Sequence, residues 1–154
     1  MNNGMKEFRV SASGIVIDQD KILLVRCTDP NGVTFLLGPG GGVLPEEDLY
    51  TGLKREVFEE TGLHVNPSKM LFVEDLNSIK YRVIKIWFLC SIIGGTLSET
   101  EEAKIEGIIE AGWYSKDQLK NEIVYPEILK DIDWKDLYKS SFETMYFPHK
   151  KARF

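Results

Sequence analysis

From Phe8 to Ile17 apolar and polar positions alternate loosely, and the second half of the stretch is β-branched. That pattern predicts a strand. Asp18-Gln19-Asp20 reads as a turn, and Lys21 to Cys27 (KILLVRC) as a second strand closing a hairpin with the first. A loop holding Pro30 and Gly32 leads to a short apolar strand, Val33 to Leu37, which runs into Gly38-Pro39-Gly40-Gly41-Gly42. Such a backbone can approach a ligand closely. The period then changes. Leu49, Leu53 and Val57 recur every four residues, the buried stripe of a helix. Asp48 is a good N-cap and Gly62 a good C′ residue. Gly52 lies inside this helix at a propensity cost of about 1 kcal/mol relative to Ala, which close packing against the sheet would explain.

Strands follow at Met70 to Asp75 and, longer and mostly buried, at Tyr81 to Ile93 (YRVIKIWFLCSII), before a turn at Gly94-Gly95. Thr100 to Glu106 reads as an acidic loop or short helix, Ile108 to Tyr114 as a strand, and Ser115 as the cap of a short helix through Leu119. Tyr125 to Lys139 reads as helical with an interruption near Asp133. Residues 1–6 read as a loose tail, and the basic, aromatic stretch from Tyr146 to Phe154 carries no assignment. Strands outnumber helices around one strong mid-chain helix, which fits a mixed sheet covered by helices.

With 154 residues and no repeat or linker, one domain is expected. A net charge of −5 argues against a general nucleic-acid or anionic-membrane surface, though not against a local basic pocket for phosphates. No apolar run reaches membrane-spanning length, and MNNGMKEF lacks the apolar core of a signal peptide. A cytoplasmic location is the default expectation. Cys27 and Cys90 sit in apolar strand-like segments, far apart and without a C-x-x-C, so buried free thiols are expected.

The segment GGVLPEEDLYTGLKREVFEETGL, Gly41 to Leu63, carries the chemistry. It crowds Glu56, Glu59 and Glu60 onto about one turn of the helix, just after Arg55. Residues three and four apart share a face, and like charges there cost a helix about 0.2–0.5 kcal/mol per pair. A solvated acidic face is the plain alternative. A divalent cation would reverse the sign of the interaction, and Mg²⁺ is held by carboxylates, waters and substrate phosphates. Written G-x5-E-x7-R-E-U-x-E-E-x-G-U, with U a bulky aliphatic, the segment fills every fixed position: Gly41, Glu47, Arg55, Glu56, Val57, Glu59, Glu60, Gly62 and Leu63. In this it resembles the signature of the Nudix hydrolases, the MutT-like family.

The resemblance implies an α/β/α sandwich around a mixed sheet and Mg²⁺- or Mn²⁺-dependent hydrolysis of a phosphoanhydride bond. The substrate would be a small nucleotide in which a nucleoside diphosphate is linked to another group. It further implies Glu59 and Glu60 as principal metal ligands, Glu56 as a third ligand or a base, and the carbonyl of Gly40 as an additional ligand. Arg55 with Glu47 would hold loop and helix together; the alternative for Arg55 is a plain surface pair with Glu59. A homodimer is a frequent family arrangement. The family often places a further Glu in a loop outside the signature. Glu99, Glu101, Glu102, Glu106 and Glu110 compete for that role, with Glu102 and Glu106 preferred and the rest read as solvated. Glu46 stands where the commonest family loop has glycine, which bears on loop conformation and substrate preference.

The substrate side is less specified. Arg9, Arg26, Arg82 and Lys85 lie on expected strands as candidate phosphate contacts, with Arg26 and Arg82 the leading pair, although strand-edge cations usually face solvent. Trp87, Trp113, Tyr81 and Phe35 are aromatic candidates for stacking on a base, with core packing the commoner role; His64 and His149 are isolated. Two other readings belong to the same fold: a nucleotide or ADP-ribose sensor, usually with an eroded signature, and an isopentenyl diphosphate isomerase, which needs catalytic residues outside it.

Overall fold

The computed structural model describes residues 5–78 and 80–151. Residues 1–4 of the expected tail and 152–154 of the unassigned C-terminal stretch lie outside the described residues. The first hairpin forms as expected: β1 (Glu7–Asp18) meets β2 (Lys21–Thr28) through Ile17 opposite Ile22 and Asp18 opposite Lys21. Its two-residue turn, Gln19-Asp20, has positive φ at both positions, 50° and 61°. That turn matches the right-handed twist of the flanking strands. Beyond the turn β1 and β2 diverge. β1 runs parallel to β6 (Tyr81–Gly95) and antiparallel to β4 (Gly40–Gly42), whereas β2 pairs with β3 (Thr34–Leu37) and β7 (Glu110–Ser115).

The order β8-β3-β2-β1-β6-β5-β9 describes a curled mixed sheet, with β5 at Leu63–Asn77, β8 at Val124–Tyr125 and β9 at Met145–Lys151. One apolar cluster lies between the two halves of the sheet, around Ile15, Leu36, Phe72 and Trp87. A second lies under helix α1 (Leu49–Thr61), where Leu53 and Val57 meet Ala12, Val16, Leu23 and Phe88. The helix is delimited as the sequence indicates. The Asp48 carboxylate accepts from the Thr51 amide at 2.7 Å, and Gly62 closes the C-terminus with φ 78°. At Gly52 a Cβ would crowd Val43 side-chain carbons at 3.2 and 3.4 Å. Its neighbour is the loop that precedes the helix and not the sheet.

Two further expectations are corrected. β5 starts at Leu63, immediately after the helix, and not at Met70. Tyr125 to Lys139 is not an interrupted α-helix: Tyr125 is in β8, and only 3-10 turns follow at Glu127–Lys130 and Trp134–Tyr138. Pro126 and Pro-imposed extended backbone separate the first turn from β8, and the Asp133 carboxylate accepts from the Lys135 amide at 3.0 Å, capping a new turn where a continuous helix would pass. The helical spacing of Leu129, Trp134 and Leu137 serves packing on the inter-sheet cluster. Residues Met145–Lys151, unassigned from sequence, form a parallel strand beside β5. Phe147 and Phe142 contact the buried Phe72 ring edge-on, at 6.0 and 6.1 Å between centroids. No described helix is long and apolar enough to cross a membrane.

Candidate active site

Arg55, in the middle of α1, organises the glycine loop. Its Nε and Nη2 donate to the two Glu47 oxygens, both at 2.8 Å, and Nη2 also donates to the Gly42 carbonyl at 3.1 Å. Nη1 turns the other way, to Glu56 at 2.9 Å and Glu59 at 3.2 Å. Glu47 in turn accepts from the Leu44 amide at 3.0 Å. A planar guanidinium with five fixed donors can bridge loop and helix like this; an ammonium cannot. The Arg55 fork, with help from the Leu44 amide, holds the Glu47 carboxyl down at about 2, and Glu47 and Glu56 hold Arg55 charged. A simple surface pair with Glu59 is therefore excluded as the whole role of Arg55.

The acidic face of α1 is not solvated. Glu56 and Glu60 are 8% and 4% exposed, and Glu59 is half-buried. A Cβ on Gly41 would lie 2.7 Å from the Glu56 carboxyl, so the loop backbone has to be glycine there for Glu56 to occupy its place. Burial pushes the Glu56 carboxyl up, against the pull of Arg55. Glu60 points deeper, where the Gly40 amide donates to it at 3.3 Å. Burial first, then the charges of Glu106 and Glu56, raise it well above the ordinary carboxylate range.

Glu106 completes the group. It follows a short helix, α2 (Glu101–Ile105), whose N-cap Thr100 accepts from the Ala103 amide at 3.0 Å and donates its hydroxyl to the Glu59 carbonyl. Thr100 thus ties the segment that ends in Glu106 to the turn that carries Glu59. One oxygen from each of Glu56, Glu59 and Glu106 falls within 4.8 Å of the others. Burial and the charges of Glu56 and Glu59 raise the Glu106 carboxyl. An all-oxygen set of this size suits a hard divalent cation such as Mg²⁺ or Mn²⁺. Gly40 to Pro45, Glu47, Glu56 and Glu106 line an open cleft of about 1780 Å³, counting its solvent-open space, together with Glu7 to Val10.

The other candidates lie elsewhere. Glu102 is exposed and its side chain is outside the carboxylate group; Glu99 and Glu101 are exposed as well. Glu110 accepts from Tyr114 at 2.8 Å and from Arg26 at 3.3 Å. Arg26 also makes a two-pronged contact with Glu122, at 2.9 and 3.1 Å, and Arg82 bonds Asp75 and the Leu76 carbonyl. Neither arginine lines the cleft, because each already neutralises a carboxylate of a neighbouring strand or loop. Arg9 does line it, stacked 3.8 Å above the Tyr81 ring. Trp87 and Phe35 are core residues. His64 stacks on Phe58 and His149 is exposed on β9. Both thiols are free, and burial pushes Cys27 to about 11 and Cys90 to about 12, leaving them unreactive.

Sequence reasoning passed over Glu74, buried at 5% exposure, and Lys85, equally buried, received only a strand-edge reading. Both lie in strands whose apolar neighbours mask them, and only the cross-strand register brings them together.

The arrangement is that of a sandwich-type α/β fold presenting a carboxylate helix behind a glycine loop. The NUDIX domain model matches residues 7–132, and the chain belongs to the Nudix family. It is 32% identical over 124 residues to the 8-oxo-dGDP phosphatase NUDT18 of Homo sapiens, covering 79% of this chain and 36% of that protein. The chain thus spans about a third of the NUDT18 relatives it matches. It is 34% identical over 132 residues to an ADP-ribose pyrophosphatase of Methanocaldococcus jannaschii, covering 82% of this chain and 75% of that one. In fold it resembles a MutT Nudix hydrolase of Burkholderia pseudomallei (TM-score 0.68, 22% identity, 83% and 100% covered). It also resembles an ADP-ribose pyrophosphatase of Streptococcus suis (TM-score 0.63, 22% identity, 90% and 98% covered).

Proposed function

We propose that this protein is a divalent-cation-dependent nucleotide pyrophosphohydrolase. The observation that carries the reading is the convergence of Glu56, Glu59 and Glu106 within 4.8 Å, from two separate segments, on a cleft walled by glycine backbone. Glu56 and Glu59 would hold Mg²⁺ or Mn²⁺, with Glu60 and Gly40 completing the set from the buried side. When bound, the cation neutralises phosphate oxygens and lowers the pKa of water. Arg55 holds two of the carboxylates in place through one guanidinium nitrogen and ties the glycine loop to them through the others. Glu106, at the cleft mouth, takes the proton of the water that attacks phosphorus. The phosphorus–oxygen bond to the leaving phosphate breaks, giving a nucleoside monophosphate and a phosphorylated partner group. The relatives' names make ADP-ribose and 8-oxo-dGDP the first substrates to try.

Glu59→Gln and Glu106→Gln test the reading. Each is expected to remove most metal-dependent turnover while leaving the melting transition cooperative. Undiminished turnover in both variants would overturn the assignment.

A further inference from the structure

Trp87 sits in the register row that carries the glycine loop: Gly40 pairs with Ser13, and Ser13 with Trp87. Residues in register on adjacent strands point to one face, and strands lie about 4.8 Å apart. The fully buried indole therefore lies on the inner side of the sheet, close to the loop. The contact is direct. A Cβ on Gly38 would collide with Trp87 Cζ3 and lie 3.2 Å from Cη2. The benzene edge of the indole is thus packed on the bare Cα of Gly38, two residues before Gly40.

From Gly38 the loop is laid down on β1. The Gly14 amide donates to the Pro39 carbonyl at 2.8 Å. Gly40 lies flat on Ser13, since a Cβ there would collide with the Ser13 Cα and Oγ. The Gly40 amide then donates to Glu60 at 3.3 Å. A shift of Gly38 is passed along this short, tightly seated backbone to Gly40 and to the carboxylate it faces.

The ring itself is aimed by one polar contact. An indole has a single donor, and Trp87 Nε1 gives it to Glu74 at 2.6 Å. Glu74 is 5% exposed, as is Lys85, in register across from it. Burying charges is costly, and apolar residues of similar volume often pack as well or better. A carboxylate is a stronger acceptor than a neutral group, which suits it to holding the ring in one orientation. The Lys85 ammonium lies 4.7 Å from the Trp87 ring centroid. Burial pulls it down, and the charges of Glu74 and then Glu60 oppose that, so the same cation faces the brace and the site.

We propose that Trp87 is a positioning residue for the metal site: Glu74 fixes the indole through Nε1, and the indole edge sets the place of Gly38 and thereby of Gly40 against Glu60. This role rests on the metal site proposed above and extends it to two residues that lie outside the cleft.

Mn²⁺ binding to the full chain, by calorimetry at fixed pH and without nucleotide, tests it. Trp87→Phe keeps an aromatic core residue but removes the donor and the edge that meets Gly38. Glu74→Met keeps the side chain's length and offers only a weak acceptor, whereas Glu74→Gln restores an oxygen. Both Glu74 variants take the same charge from Lys85, so their difference isolates the bond to Trp87. Trp87→Phe and Glu74→Met are expected to raise the Mn²⁺ dissociation constant about 10–100-fold, the usual cost of losing an outer support of a metal site. Glu74→Gln should recover most of that loss. A purely structural role would lower the melting temperatures and leave the Mn²⁺ affinity of the folded variants unchanged. That result, or Glu74→Gln binding as weakly as Glu74→Met, overturns the proposal. Where Glu74→Met does not melt cooperatively, Trp87→Phe decides. Absence of Mn²⁺ binding in the unaltered protein would sink the metal site and this role together. Weakened binding in the variants, with no nucleotide hydrolysed by the unaltered protein, would sink the enzyme reading alone.

Discussion

At the scale of single residues, the site is defined by which carboxylates are buried and what faces them. Glu60 and Glu56 are both raised by burial, so their charged forms oppose the fold. Their contribution to stability is complete below the ordinary carboxylate range and is lost as pH rises through their raised values. Glu47 behaves oppositely: held at about 2, it stabilises above the ordinary range, and that contribution is lost as pH falls toward 2. Metal-free protein should therefore melt highest in mildly acidic buffer and lose stability toward pH 8. Thermal melts in EDTA from pH 4.5 to 8 would show this; Glu60→Gln should flatten the alkaline limb and raise the melting temperature at pH 8. A melting temperature that climbs steadily to pH 8 would contradict the buried-charge account. Arg55→Lys tests the bridge between loop and helix. It keeps the charge but loses the fork, so the metal concentration needed for half-activation should rise about 10–100-fold. The signature residues and Asp48 were legible from type and spacing. The depth of Glu60 was not, because helical periodicity places a side chain on a face without saying what covers that face.

At the scale of elements, helix ends were legible and long-range pairing was not. Gly62 shows why ends can be read: its φ of 78° is a local requirement, and a Cβ there would lie 2.5 Å from the Thr96 carbonyl oxygen. Gly62→Ala should cost at least about 1–2 kcal/mol from the left-handed backbone alone, measured by urea unfolding. β9 shows the opposite case. MYFPHKK has no clear alternation and contains Pro148, which is tolerated because this is an edge strand. Its place beside β5 comes from Phe147 meeting Phe72, a contact between residues 75 positions apart. Phe147→Ala should destabilise by about 1–2 kcal/mol, below the cost of a fully buried Phe since the ring is half-buried. A change under a few tenths would mean that the C-terminal strand adds little to the core. The stretch Tyr125 to Lys139 misled for a related reason: its apolar spacing is helical, yet Pro126 and the Asp133 cap divide the backbone into short turns.

At the scale of the whole molecule, the fold brings segments far apart in the chain to one cleft. Glu106 arrives from a segment between β6 and β7, 46 residues after Glu60 in the chain, and Thr100 fastens that segment to α1. The acidic loop was legible as a source of a further carboxylate, and of its five glutamates Glu102 and Glu106 were preferred without anything in the sequence to separate the two; contact with Glu56 and Glu59 singles out Glu106. The most direct test is phosphate release, coupled to a phosphatase, from ADP-ribose, 8-oxo-dGDP, sugar nucleotides, dinucleoside polyphosphates and natural and oxidised triphosphates, with Mg²⁺ or Mn²⁺. Turnover of one class that disappears in EDTA and in Glu59→Gln is the expected result. Silence across the panel, with nucleotides still raising the melting temperature, would contradict hydrolysis and make this a nucleotide-binding member of the family.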